Sequence, residues 1–178
     1  MNQQIVETKN IDRAELVSKG RRIEYFTIGY NCLAGLIAVI SGLLAGSIAL
    51  VSFGFDSLIE VSSGVALVWR LRADLDEERR EQAEVITLRI VGICFMLLAA
   101  YILYDPGKSL WRHLAPETSE VGIALTVASV VIMPLFARAK RQVGRGIISA
   151  AMMADAKQTE LCMYLSAITL GGLTPWRL

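Results

Sequence analysis

Five long apolar runs leave few ways to fold this chain. They lie at about 25–44, 47–69, 85–104, 121–137 and 147–173, each close to the roughly 20 residues that carry a helix across a bilayer. In lipid a segment must satisfy its own backbone N–H and C=O groups, so every run is predicted to be helical. Hydrophobic side chains make up 54% of the 178 residues before glycine is counted. Soluble domains reach only about 45–50% with glycine included. The expected fold is an all-α integral membrane protein, a transmembrane helix bundle with five predicted spans. A polar opening of some twenty residues, followed by an apolar run too long for a signal-peptide core, is not the pattern of a cleaved leader.

Most of the positive charges fall between the runs, and unevenly. Lys9, Arg13, Lys19, Arg21 and Arg22 precede the first run. Arg70, Arg72, Arg79 and Arg80 follow the second, and Arg138, Lys140, Arg141 and Arg145 follow the fourth. The intervening connection, "DPGKSLWRHLAPETSE", offers only Lys108 and Arg112, and Arg177 stands near the end. The positive-inside rule therefore predicts a multi-pass protein of the cell membrane with a cytoplasmic N-terminus. It divides into a cytoplasmic N-terminal arm (1–24) and a transmembrane domain (25–178). A net charge of +1 excludes the basic patch of a nucleic-acid binder. Cys32, Cys94 and Cys162 all sit in apolar runs, so no secreted disulfide framework is expected. The stretch "DLDEERREQAE" (74–84) interleaves both signs and reads as a solvated loop. His113 reads as a surface residue. With a single histidine and no nucleophile–base pair, no enzyme is expected.

Against that background "GFDSLIE" (54–60) stands out. Asp56 and Glu60 are four residues apart, on one face of a helix, inside a run bounded by "GLIAVISGLLAGSIALVSF" and "VSSGVALVW". A carboxylate near the bilayer centre costs roughly 2.5–3.5 kcal/mol on the gentler insertion scale, and two on one face repel. The fifth run has a counterpart, "ADAKQTELC" (154–162). Asp155, Gln158 and Cys162 share a helical face there, and Gln158 and Cys162 repeat the four-residue offset. A divalent cation between the two helices would offset both repulsion and desolvation. Carboxylate, amide oxygen and thiolate are plausible ligands, and the thiolate favours zinc-like ions. The plainer reading has the carboxylates protonated or hydrogen-bonded to Ser47, Ser52, Ser62 or Ser63. Lys157 is expected to pair with Glu160 or Asp155, which makes Asp155 a weaker ligand candidate than Asp56 or Glu60. Gly35, Gly42 and Gly46 invite close helix packing.

These residues resemble a known family. "GSIALVSFGFDSLIEVSS" is similar to the second-helix motif of the cation diffusion facilitator (cation efflux) family. There a "GSxAL" opening leads, nine residues beyond its serine, to a His or Asp and four later to an Asp. Counting from Ser47 reaches Asp56 and Glu60. "ADAKQTELCMYLS" resembles the fifth-helix motif, "ADAxHxxxDxxxS". Ala154, Asp155, Ala156 and Ser166 match, while Gln158 stands where His is usual and Cys162 where Asp is usual. The resemblance is to the small bacterial type without a cytosolic C-terminal domain.

The resemblance implies an exporter of divalent metal ions, zinc or a relative such as cadmium, cobalt, iron or manganese, in exchange for protons. It implies a homodimer in the lipid bilayer and no permanently bound cofactor. Asp56, Glu60, Gln158 and Cys162 would be the metal ligands, with Asp155 beside them. The family carries six helices, so the chain is expected to stop before the sixth. The alternatives are a non-transporting interaction or metal-sensing subunit, or a truncated, inactive transporter.

Overall fold

A computed structural model describes residues 2–112 and 120–173. Five helices follow in order: α1 (Asn2–Ala45), α2 (Ile48–Arg72), α3 (Glu77–Arg112), α4 (Glu120–Gly146) and α5 (Ala150–Leu173). A single 3-10 turn, Ala73–Leu75, links α2 to α3. Among the described residues there is no strand. The all-α membrane bundle expected from the apolar runs is what the chain forms.

Among the described residues, four stretches are long and apolar enough to cross a membrane: Asp12–Ala45, Leu50–Arg72, Glu78–Ala100 and Glu120–Gly146. The fifth run forms α5 but is not among them. Asp155, Lys157 and Glu160 crowd its first half, which dilutes the apolar character of the segment. Two boundaries also differ from expectation. The N-terminal arm is continuous with the first span, because α1 runs unbroken through it. That helix is already packed well before residue 25, with Val17 buried and Gly20 set so close to its neighbours that a Cβ there would lie 3.1 Å from Val143 and 3.3 Å from Leu71. The third helix begins at Glu77 and absorbs most of the charged stretch. Its central residues Glu78, Arg79 and Glu81 are exposed, as a solvated segment should be. His113 lies outside the described residues.

The helices associate as two close pairs, α1 with α2 and α4 with α5, with narrower contacts of α1 to α4, α2 to α3, α3 to α5 and α2 to α5. Each pair is closed by a left-handed C-cap. At Gly46 (φ +69°) the Ser47 N–H reaches back to the Gly42 carbonyl at 2.9 Å, a Schellman closure that glycine enters at no steric cost. At the other turn Ile148 takes the same position (φ 55°), and the Ser149 N–H donates to the Gly144 carbonyl at 2.9 Å. Of the three small residues expected to promote packing, Gly35 and Gly42 do so. A Cβ on Gly35 would lie 2.9 Å from the Ser57 Cβ, and one on Gly42 would lie 2.8 Å from Val51. Gly46 touches nothing and serves the turn instead.

The core lies at one end of the bundle, where Val17, Leu67, Leu71, Val143, Ile147, Ala151 and Met152 cluster. Charged residues knit the same end together. Asp74 receives Arg13 (2.9 Å) and Arg70 (3.0 Å), and Arg70 continues to Glu84 (2.6 Å). Arg70 is only 1% exposed and Asp74 only 5%, a burial that a charge tolerates only when paired. The outer flanks of "DLDEERREQAE" are thus structural ion-pair partners, although its middle is solvated. Elsewhere Phe26, Leu36, Leu44, Met96, Val131 and Ile168 point outward, the surface expected of helices that face lipid. Cys32, Cys94 and Cys162 are all free thiols.

Candidate metal site

The α1–α2 contact fixes where the acidic pair sits. Gly54, two residues before Asp56, faces α1 so closely that a Cβ there would strike the Val39 side chain and approach the Gly35 carbonyl to 3.2 Å. With α2 pressed onto α1 in this way, the face carrying Ser63 and Glu60 turns toward α5. Glu60 is 2% exposed, whereas Asp56 is half-buried.

Two α5 side chains approach Glu60. The Thr159 hydroxyl donates to Glu60 Oε1 at 2.7 Å, and the Cys162 thiol lies close to the same carboxylate. Asp56 also lies within electrostatic reach of Cys162. Asp56, Glu60 and Cys162 thus lie in one region of the α2–α5 contact, without drawing together into a three-ligand cluster. The partner of Glu60 is a threonine on another helix and not one of the serines of α2.

Gln158 is 1% exposed, and neither its amide nitrogen nor its amide oxygen has a hydrogen-bond partner. A buried amide left unsatisfied costs about 1–3 kcal/mol, so each such group calls for an explanation. It stands one turn before Cys162, on the helix that Glu60 faces.

Asp155 is engaged elsewhere. Its Oδ2 accepts from Lys140 Nζ at 2.5 Å, and its Oδ1 accepts from the Ser63 hydroxyl of α2. Lys140 is fully buried, and its ammonium also lies 3.2 Å from Glu24 Oε2 on α1 and 3.5 Å from Thr159 Oγ1. The expected pairing of Lys157 with Asp155 or Glu160 is not what forms. Lys157 is exposed, Asp155 belongs to Lys140, and Glu160 pairs with Arg141 at 2.6 Å. The cause is geometric: α4 lies alongside α5 and brings its own cations to those carboxylates, while Lys157 points away.

Glu24, Lys140 and Thr159 are participants that sequence reasoning missed. Lys140 reads as one more loop cation and Glu24 as the last residue of a polar arm. Helix ends that continue inward turn both toward the interior. Thr159 had a visible signal, since it stands four residues after Asp155 and so shares its face. Among the described residues, no three His, Cys, Asp or Glu side chains draw together closely enough to hold a metal ion on their own. The donors at the α2–α5 contact are two carboxylates, a thiol and an amide.

Comparison with known proteins gives this geometry its context. Residues 26–176 match the family model of the cation efflux transmembrane domain. A relative, the manganese efflux system protein MneS of Bacillus subtilis (strain 168), is 24% identical over 170 residues, covering 92% of this chain and 58% of that protein. The chain thus spans little more than half the length of that relative. No solved structure matches it. The family match covers the C-terminal part of α1, all of α2 to α5 and both halves of the α2–α5 contact, and the chain is a member of the cation efflux, or cation diffusion facilitator, family.

Proposed function

We propose that this chain carries a divalent metal cation out of the cytoplasm, with Asp56 and Glu60 of α2 and Gln158 and Cys162 of α5 as the transient ligands. The observation that carries the reading is Gln158. A fully buried amide with both polar atoms unsatisfied, beside a thiol that already meets a buried carboxylate, is a donor set awaiting a cation. Ligand groups that release protons on binding couple the metal to protons, so export runs in exchange for protons moving inward. The cation-rich end of the bundle faces the cytoplasm, and the chain works in the plasma membrane as a homodimer.

On metal identity the donors pull two ways. The Cys162 thiolate favours zinc-like ions, whereas two carboxylates and an amide oxygen suit manganese. Similarity to a manganese efflux protein adds weight to the oxygen side. We take zinc-like ions as the preferred cargo, with manganese as the direct competitor.

Flux in proteoliposomes carrying a pH gradient tests the reading, with zinc and manganese assayed in parallel. Wild type should move metal, and Asp56→Ala/Glu60→Ala should not. Equal flux in both proteins would place the pathway away from "GFDSLIE".

A further inference from the structure

Lys140 is the most deeply placed cation of the described bundle, and nothing in a metal pathway calls for a fixed positive charge beside the cargo. Its surroundings account for it. An ammonium has three N–H donors and no acceptor, and this one meets oxygens from three groups on two helices: Asp155 at 2.5 Å, Glu24 at 3.2 Å and Thr159 at 3.5 Å. Asp155 is 0% exposed, as is Glu24, and both carboxylates face the one ammonium. The second oxygen of Asp155 is taken by Ser63. Both oxygens of Asp155 are thus already engaged, one by Lys140 and one by Ser63.

Thr159 joins this cluster to the proposed metal ligands. A hydroxyl has one proton and two lone pairs. The Thr159 proton goes to Glu60 Oε1 at 2.7 Å, which leaves a lone pair on the side of Lys140. Glu60 is thereby held through its Oε1 from the α5 side.

We propose that Lys140 is a positioning cation for the metal site: it withdraws Asp155 and Glu24 from the ligand set and, through Thr159, fixes Glu60 against Cys162. The inference rests on the metal-site reading above and assigns two of the buried carboxylates a different role. Lys140 neutralises charge that would otherwise attract a cation to the wrong place. The carboxylates left on the side of the cargo are those of α2.

The test is calorimetric binding of zinc, and separately of manganese, to the purified full chain in detergent. Melting temperature is recorded for every variant. Thr159→Val keeps the volume and every buried charge, so it isolates the link to Glu60. It should weaken metal binding about tenfold, the effect of losing one hydrogen bond to a charged group, with a near-native melting temperature. Lys140→Arg should retain binding because the positive charge stays. Asp155→Asn should still bind one metal, whereas Glu60→Gln should bind none.

Wild-type affinity in Thr159→Val would overturn the positioning role. So would a folded Asp155→Asn that loses metal as completely as Glu60→Gln, because Asp155 would then be a ligand. No binding by wild type itself would instead sink the metal site, and the positioning role with it.

Discussion

Glu84 of α3 holds the first turn of α5. Its Oε1 accepts the Ala151 N–H at 2.7 Å, and the Ser149 hydroxyl donates to both carboxylate oxygens at 3.0 and 2.9 Å. Ser149 in turn accepts the Met152 N–H at 3.1 Å, the ordinary bond of a serine N-cap. A helix start is electropositive and carries unbonded N–H groups, and here a carboxylate from another helix meets them. Glu84→Ala removes that anion and one partner of the buried Arg70. The expected loss is about 2–3 kcal/mol, below the figure for breaking a fully buried pair because Asp74 remains. Thermal unfolding in detergent measures it. Glu84→Gln should lose less, since the amide oxygen still accepts.

Gly54 sets how deeply α2 is pressed onto α1. Gly54→Ala places a methyl group against Val39, and overpacking of this kind costs about 1–3 kcal/mol. Asp56 and Glu60 lie within two turns of the displaced point, so flux should fall along with melting temperature. Gly29→Ala is the control: nothing lies within 4 Å of its Cβ position, and exchanging a mid-helix glycine for alanine gains up to about 1 kcal/mol. Equal damage from both changes would mean that close packing at Gly54 does not set the site.

Cys162 decides metal preference. Cys162→Ser exchanges a soft sulfur donor for a hard oxygen, which lowers zinc affinity more than manganese affinity. The ratio of the two dissociation constants should move at least about tenfold toward manganese. An unchanged ratio would mean that the thiol does not touch the cargo.

Carboxylates and thiols bind metal only after losing their protons. Acidifying the side from which metal loads should therefore weaken loading, by up to about tenfold per pH unit for each proton displaced. Acidifying the release side should speed release. Initial flux measured while the pH of each compartment is varied alone separates the two. Flux indifferent to both would remove proton exchange from the proposal.

The helices and the acidic pair were legible because each rests on a local signal: apolar length, and two carboxylates at helical spacing. The partners of those residues were not legible. Nothing in "ADAKQTELC" indicates that Asp155 belongs to Lys140 rather than to Lys157, because that choice is made by α4 lying alongside α5. The same holds for Asp74 and Glu84, which sit in a stretch of solvated appearance and become ion-pair partners only when α1, α2, α3 and the start of α5 meet. The turn at Ile148 also escaped sequence reasoning. A β-branched residue is a poor occupant of left-handed backbone, and no pattern marks the position.

The pairing of α5's charges with α4 bears on how the protein reaches the membrane. Asp155 and Glu160 find their cations at Lys140 and Arg141, so α5 by itself offers the insertion machinery a segment with unbalanced charge. Together with α4 it offers one whose charges are already matched. We expect the hairpin, and not the single helix, to be the unit that enters the bilayer. A glycosylation-tagged insertion assay should find α5 inserting efficiently behind α4 and poorly behind a polyleucine helix, and equal insertion in both would refute this. On that account the order of synthesis is also an order of charge neutralisation, and the last described helix enters only because the one before it has arrived.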